Sequence, residues 1–177
     1  MKYCSYCAAE VSLQIPEGDN RPRYVCGACA AIHYQNPRVI TGCIVNWNKK
    51  VLLCRRGIEP RKGKWTLPAG FLENGETIEQ GAARETKEEA NIVVKPKGLY
   101  TIFNLPHISQ IYIFYRATVE QNDASAGDET EAVAMFSEEE IPWSELAFPV
   151  IEKTLKLFFS DRENDDFPTH VEDIIIK

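Results

Sequence analysis

Short apolar stretches rich in β-branched residues recur through the middle of the chain and predict strands. Residues 38–47 (RVITGCIVNW) and 51–55 (VLLCR) form one such pair, divided by the turn-prone segment 48–50. Similar stretches follow later in the chain, and we interpret them as further strands: residues 93–94, 98–104, 110–120 and 132–136.

Two segments have helical character. Residues 77–90 (TIEQGAARETKEEA) are rich in helix formers, with Thr77 suited to the N-cap and Gln80 placed to complete a capping box. Asn91 follows, and asparagine readily takes the left-handed conformation that ends helices. Residues 149–159 (PVIEKTLKLFF) begin with proline and carry one apolar face at helical spacing. The alternation of strands and helices predicts one mixed α/β domain.

The first 35 residues have a different composition, with four of the six cysteines and few apolar residues for a core. Cys4 and Cys7 are separated by two residues, as are Cys26 and Cys29, which is typical of four-thiolate zinc sites. The alternatives are two disulfides or four unrelated buried thiols. A segment this short needs a cross-link or metal to fold, so we predict a zinc ribbon. With all four ligand positions filled by thiolates, its Zn²⁺ is expected to be structural.

Three further residues of metal-binding type need an interpretation. His33 lies close to the last cysteine and would be a ligand only in a different arrangement. Cys43 and Cys54 lie inside predicted strands, where a core position is the simpler reading.

Composition limits the functional classes. At 177 residues and 44% hydrophobic, the chain can form one substantial core and a small appendage. The net charge of −6 gives no electrostatic footprint for duplex nucleic acid or an acidic membrane. No apolar run has the length of a bilayer span, and the first residues lack the apolar core of a signal peptide. We therefore expect a cytoplasmic protein without a membrane or nucleic-acid partner.

The most informative segment is acidic. Glu85, Glu88 and Glu89 occupy positions i, i+3 and i+4 of the predicted helix, so their carboxylates project from one face. Such like charges repel, at a few tenths of a kcal/mol per pair. A hard divalent cation removes the conflict, because Mg²⁺ prefers carboxylate oxygens and bridges to phosphates. The alternative is a solvated acidic face tempered by Arg84 and Lys87.

The residues around these glutamates follow the pattern G-x5-E-x7-R-E-U-x-E-E-x-G-U, in which U is apolar. The positions in register are Gly70, Glu76, Arg84, Glu85, Glu88, Glu89 and Ile92. The stretch resembles the Nudix box. Thr86 replaces an apolar residue of the pattern, and Asn91 replaces its glycine, a mild change because asparagine is the next-best left-handed cap.

The resemblance implies a Nudix α/β/α sandwich with a mixed sheet over residues 36–165, preceded by the zinc ribbon at 1–35 and followed by a tail at 166–177. By the same resemblance, Mg²⁺ or Mn²⁺ would be held by Glu85, Glu88 and Glu89, with the Gly70 carbonyl as a further ligand.

The resemblance also suggests roles for other charged residues. Glu76 and Arg84 would pair and brace the loop against the helix, direct catalysis being the alternative. A carboxylate from outside the box often serves as an additional ligand or base in this family. The candidates are Glu129 and Glu131, although either fits a plain loop residue equally well.

Similarity over nearly the whole chain extends to the plastid-type FAD and ADP-ribose diphosphatases of this family. It is carried by YQNPRVITGCIV, VLLCRRGIEPRKGKWTLPAGFLENGET, EIPWSELAF and TLKLFF. The NADH pyrophosphatases are more distant, since their Ser-Gln-Pro-Trp-Pro-Phe-Pro segment is absent. The resemblance implies hydrolysis of FAD or ADP-ribose to AMP and a phosphorylated remainder, by an enzyme that, like many relatives, forms a homodimer.

A small nucleotide with a diphosphate needs cations and aromatic rings around it. The candidate cations are Arg55, Arg56, Arg61, Lys62 and Lys64, and the candidate stacking rings are Trp65, Phe103, Tyr112 and Phe114. A solvated basic loop and ordinary core packing are the alternatives for these residues.

Three other functions stay open on the sequence. The chain would be a NADH pyrophosphatase, a nucleoside-triphosphate pyrophosphohydrolase, or a nucleotide-sensing or nucleic-acid-binding module without catalysis. The intact set of carboxylates disfavours the last.

Overall fold

The computed structural model describes residues 1–175, which form two compact units. The first is Met1–Pro37, and the second begins at Arg38.

The first unit is a small antiparallel sheet with two cysteine-bearing turns. Its strands are β1 (Val11–Gln14), β2 (Arg23–Cys26) and β3 (Ile32–His33), in the order β1-β2-β3. The two turns share one geometry: the Ala8 amide donates to the Cys4 carbonyl, and the Ala30 amide to the Cys26 carbonyl. Both alanines have φ near +60°. The two Cys-x2-Cys segments therefore fold as matching knuckles.

The second unit contains one large sheet and two helices. Its elements are β4 (Arg38–Trp47), β5 (Lys50–Arg56), β6 (Trp65–Thr66), β7 (Ala69–Phe71), α1 (Ile78–Ala90), β8 (Lys95–Leu105), β9 (Gln110–Thr118), β10 (Thr130–Phe136), α2 (Pro149–Asn164) and β11 (His170–Asp173). Short 3₁₀ helices lie at Pro106–Ile108, Glu138–Glu140 and Trp143–Glu145.

The sheet is mixed, as predicted. Its strand order is β10-β5-β4-β9-β8-β11, while β6 pairs with β5 and β7 with β4. The pairs β4–β9 and β8–β11 are parallel, and the remaining pairs are antiparallel.

Side chains of the central strands point alternately to the two faces of the sheet and form one hydrophobic core on each face. On β4, Ile44 packs with the apolar face of α2, whereas Cys43 and Val45 pack with Ala82 and Ala90 of α1. Successive side chains of a strand point to opposite faces, so one helix covers each face of the sheet. This arrangement confirms the predicted α/β/α sandwich.

The ends of α1 are as predicted. Thr77 is the N-cap, and its hydroxyl accepts from the Gln80 amide while the Gln80 side chain accepts from the Thr77 amide. Asn91 ends the helix at φ 51°, and its backbone N–H donates to the Lys87 carbonyl. The box is thus held as a helix with a defined start and end.

Some segments differ from the prediction. Residues 93–94 precede β8 instead of forming a strand. The segment 166–177, expected to be a tail, includes β11, whose four residues pair in parallel with β8. The contact joins residues about 70 positions apart, which local sequence patterns do not reveal. No helix within residues 1–175 is long and apolar enough to cross a membrane.

Candidate metal and substrate site

The box glutamates lie in one cleft of the second unit, but their surroundings differ. The cleft has a volume of about 1270 Å³, and Gly70, Glu85, Glu88 and Glu89 are among the residues that line it. The side chain of Glu88 is 58% exposed, whereas that of Glu85 is 13% exposed. On this face of α1, Glu88 therefore contacts solvent, whereas Glu85 lies largely within the protein.

Glu89 is the most deeply placed carboxylate. Its Oε2 atom is buried and has no hydrogen-bond partner within residues 1–175. Burial, and then the charge of Glu85, raise the pKa of Glu89 from 4.5 to about 8. A buried carboxylate oxygen without a partner is unfavourable unless a cation or proton compensates it. One carboxylate oxygen of Glu89 is therefore left for a cation or a proton to satisfy.

Gly70 lets the backbone approach these carboxylates. A Cβ atom at this position would lie 2.3 Å from Oε2 of Glu85, closer than side chains tolerate. Gly70 is fixed by β7, where it pairs with Thr41 of β4. A side chain at position 70 would displace the Glu85 carboxylate, so glycine keeps the backbone of β7 next to that carboxylate at the cleft.

Arg84 connects the loop to the helix. Its Nε and Nη2 atoms donate to both carboxylate oxygens of Glu76 at 3.0 and 2.7 Å, and Nη2 also donates to the Phe71 carbonyl at 3.0 Å. Nη1 donates to Glu85 at 2.7 Å and to Glu88 at 3.0 Å. The guanidinium lowers the pKa of Glu76 to about 2, so this bidentate pair stays ionised and holds the loop in place.

The two acidic candidates outside the box are separated by the structure. Glu129 lines the cleft, and its charge contributes to the raised pKa of Glu89. Glu131 instead faces Arg55 and Lys62, at 3.7 and 3.9 Å, and is absent from the cleft lining. Of the two candidates, the geometry therefore favours Glu129 as the carboxylate that acts together with the glutamates of the box.

Two of the predicted substrate-binding residues border the cleft. Arg56 donates from Nε to the Pro60 carbonyl at 2.7 Å and lies 5.4 Å from the Phe148 ring centroid. Tyr112 lines the cleft and stacks with Phe114, which is fully buried. Arg56 is thus a cation beside aromatic surface within reach of the carboxylate region.

The other predicted substrate residues lie outside the cleft lining. Phe103 has no exposed surface, so its ring offers no face to a substrate. Trp65 packs edge-on against Phe136, with ring centroids 5.0 Å apart. Arg55 bonds the Gly63 carbonyl, and Lys64 reaches the Ser144 carbonyl. Arg61 is exposed in the loop with φ 65°.

The apolar part of the cleft was not anticipated from sequence. It includes residues from four separate segments, namely Ile58, Leu105, Ile108, Phe148, Ile151 and Ile174. Phe148 belongs to the EIPWSELAF stretch, which was informative only as a similarity. Ile174 follows β11, so its contribution depends on a pairing that the sequence does not predict. Hydrophobic side chains from distant segments give no local signal of a common surface.

The four cysteines of the first unit form a metal-binding geometry. Their sulfur atoms all lie within 4.8 Å of one another, with Cys7 3.5 Å from both Cys26 and Cys29. Thiolates around a tetrahedral Zn²⁺ at about 2.3 Å would be roughly 3.8 Å apart, so the cluster fits such an ion. None of the six cysteines is bonded to another, so the geometry favours a metal site over two disulfides.

His33 lies beside this cluster and is not one of its four ligand residues. It is buried, and its Nε2 atom is 3.3 Å from the Cys4 sulfur. A second hydrogen bond to that sulfur comes from the Tyr6 amide. These contacts hold the Cys4 sulfur in place, as partners around metal sites commonly do. Cys43 and Cys54 are buried among core residues, as expected.

Comparison with known proteins agrees with this geometry. A family model described as NUDIX domain matches residues 36–158, and one described as Nudix N-terminal matches residues 2–35. A crystal structure of a NUDIX hydrolase from Nitrosomonas europaea is 53% identical, with a TM-score of 0.95, and the match covers 98% of this chain and 99% of that one.

Two similar proteins carry names that state an activity. The ADP-ribose pyrophosphatase of Methanocaldococcus jannaschii is 34% identical over 121 residues, which cover 65% of this chain and 69% of the relative. The NAD-capped RNA hydrolase NudC of Vibrio vulnificus is 38% identical over 95 residues, 53% of this chain but only 34% of NudC. The match thus spans about a third of NudC. The chain belongs to the Nudix hydrolase family.

Proposed function

We propose that the protein hydrolyses the diphosphate linkage of a nucleotide derivative, with ADP-ribose or FAD as substrate and Mg²⁺ or Mn²⁺ as cofactor. The products are AMP and the phosphorylated remainder. One observation carries the proposal: a buried carboxylate oxygen of Glu89 without a hydrogen-bond partner lines the same cleft as Glu85 and Gly70.

The donor atoms present are of the type that a hard divalent cation prefers. Glu85, Glu88, Glu89 and the Gly70 carbonyl offer only oxygen, the donor type that Mg²⁺ and Mn²⁺ prefer. The pKa values of Glu85 and Glu89 are both raised, in each case chiefly by burial. A cation between them would offset the unfavourable burial of two negative charges.

The chain's own residues prepare the reaction in distinct ways. A bound cation would lower the pKa of a coordinated water and neutralise the diphosphate. Glu129 faces the carboxylate region and is the group we assign to accept the proton of the attacking water. Arg56 offers a positive charge to the diphosphate, and Arg84 holds the loop carrying Glu76 in place.

The shape of the cleft supports a dinucleotide-sized substrate. Its volume of about 1270 Å³ exceeds the roughly 300–1,000 Å³ of ordinary small-molecule pockets. An apolar region that includes Phe148 and Ile151 lies in the same cleft as the acidic residues. A molecule with a flat ring at one end and a central diphosphate matches both. ADP-ribose is additionally supported by the name of the M. jannaschii relative, and FAD by the resemblance of the sequence.

A substrate panel tests the proposal. Purified protein is incubated with Mg²⁺ and ADP-ribose, FAD, NADH, NAD-capped RNA or nucleoside triphosphates, and the products are separated by chromatography. We expect AMP from the first two, loss of turnover without divalent metal, and at least about 100-fold lower kcat for Glu89→Gln. Glu79→Gln is the matched control, since Glu79 is an exposed carboxylate on the same helix.

Other outcomes would redirect the assignment. Pyrophosphate release from triphosphates would indicate a nucleoside-triphosphate pyrophosphohydrolase. Reduced NMN from NADH, or NMN from NAD-capped RNA, would indicate a NudC-like activity. No turnover of any diphosphate, together with salt-sensitive RNA binding, would make the chain a binding module. An unchanged rate in Glu89→Gln would refute the metal site.

The zinc site, the oligomeric state and the location of the protein need separate experiments. We propose Zn²⁺ at the four cysteines, which metal analysis of the purified protein checks. The homodimer and the cytoplasmic location stay predictions, the first of which analytical ultracentrifugation measures.

A further inference from the structure

Asn91 does more than end α1. At φ 51° its backbone fills the position where the Nudix box has glycine. Its side-chain amide donates from Nδ2 to the Ala126 carbonyl at 2.9 Å, with a longer contact of 3.4 Å to the Ser125 carbonyl. A glycine would supply the same helix end without these bonds. The departure from the family pattern therefore adds a contact with a segment 34 and 35 residues further along the chain.

That segment lies directly on the last turn of α1. The Ser125 amide donates to the Ala90 carbonyl at 2.9 Å, and the Gly127 amide to the Glu89 carbonyl at 3.0 Å. A Cβ atom at Gly127 would lie 1.8 Å from the Glu88 carbonyl oxygen, so only glycine allows the approach. The otherwise unpaired carbonyls at the helix end are thus satisfied by this segment.

The same segment leads to Glu129. The Thr130 amide donates to the Gly127 carbonyl at 3.1 Å, which closes a tight turn around Asp128 and Glu129. The Glu129 carbonyl accepts from the Gly57 amide at 2.7 Å. Residues 126–130 all line the cleft. The position of Glu129 relative to Glu89 therefore depends on how the segment sits on α1, as well as on the contact with Gly57.

We propose that Asn91 is a positioning residue, whose side-chain amide holds residues 125–129 against α1 so that Glu129 faces the metal-binding glutamates. The proposal rests on the proposed function, because the effect on catalysis passes through Glu129. Asn91 itself needs no contact with the substrate.

Asn91→Gly is the informative variant, because it keeps the left-handed helix end and removes the side chain that carries the amide. Asn91→Asp keeps the size of the side chain but presents a carboxylate to two carbonyl oxygens, so it should behave like the glycine variant. Asp165→Gly is the matched control: Asp165 ends α2 at φ 51° and lies outside the cleft lining.

Hydrogen exchange of the metal-free protein measures the contact without any catalysis. Peptides covering residues 121–130 should exchange about fivefold faster in both Asn91 variants, since one hydrogen bond that holds the segment is lost. Asp165→Gly should leave them unchanged. Equal exchange in Asn91→Gly and the wild type would overturn the proposal.

Kinetics then separate positioning from general destabilisation. Asn91→Gly should lower kcat about 10- to 100-fold with a smaller change in KM, because the chemical step depends on placement of Glu129. In a Glu129→Gln background the same substitution should have no further effect. Full additivity of the two substitutions would overturn the proposal. If the wild type turns over no diphosphate, the proposed function fails, while the exchange experiment still decides whether Asn91 holds the segment.

Discussion

Glu89 makes the stability of the metal-free protein depend on pH. Burial raises the pKa of this carboxyl from 4.5 to about 8, with the Glu85 charge as the second cause. Between these two values the folded state binds a proton that the unfolded chain has released. The free energy of unfolding therefore falls as pH rises from about 4.5 to about 8. Glu76, whose pKa Arg84 lowers to about 2, contributes in the opposite sense, but only below pH 4.5.

The size of the effect follows from the two pKa values. At about 1.4 kcal/mol per pKa unit, the difference between 4.5 and about 8 limits the loss to roughly 5 kcal/mol. The cleft admits water, which weakens the penalty for a charge, so we expect on the order of 2–4 kcal/mol. Glu89→Gln removes the charge and should be more stable than the wild type by about this amount at pH 8, and similar to it at pH 5.

Tryptophan fluorescence during urea unfolding is the suitable assay. All three tryptophans, Trp47, Trp65 and Trp143, belong to the second unit, so the signal reports that unit alone. The buffer contains no Mg²⁺ or Mn²⁺, and zinc content is verified before each measurement. Added Mg²⁺ should raise the free energy of unfolding of the wild type at pH 8. It should raise that of Glu89→Gln by a smaller amount.

Two results would refute this reasoning. One is a free energy of unfolding for the wild type that stays constant between pH 5 and pH 8. The other is a Glu89→Gln variant no more stable at pH 8 than Glu79→Gln, whose exposed carboxyl lies on the same helix.

Three further substitutions test other parts of the structure. Gly70→Ala places a Cβ atom 2.3 Å from Glu85 and should lower kcat at least about 100-fold, with circular dichroism unchanged. Cys29→Ser removes one of the four thiols, so bound zinc measured by mass spectrometry should be lost, and hydrogen exchange over residues 1–37 should increase. Asp161→Asn weakens an acceptor that bonds both Tyr100 and His170 at 2.7 Å, and the urea midpoint should indicate a loss of about 1–3 kcal/mol.

The local parts of the fold were predictable from the sequence. The capping box at Thr77, the helix end at Asn91 and the strand over Arg38–Trp47 all follow from neighbouring residues. The cluster of four cysteines was equally predictable, because two Cys-x2-Cys segments are typical of four-thiolate metal sites. Each of these features is set by contacts within a few positions along the chain.

The substrate side of the site was less predictable. Phe103 and Tyr112 lie directly opposite each other on β8 and β9, yet one is fully buried and the other borders the cleft. Both faces of the sheet are covered by helices, so apolar character does not show which residues meet solvent. The contact of Asn91 with Ala126 has the same cause: it depends on where a loop packs, and no local pattern encodes that.

Arg84 explains how four acidic side chains coexist before a metal binds. It donates to Glu76, Glu85 and Glu88, so three of the four carboxylates already have a cationic partner. Glu89 is the exception, because one of its oxygens has no partner within residues 1–175. The unfavourable charge of the metal-free site is therefore concentrated on the carboxylate that lies deepest. A cation that binds there relieves the largest penalty in the cluster, and for this reason metal binding and folding stability should respond together to the loss of Glu89.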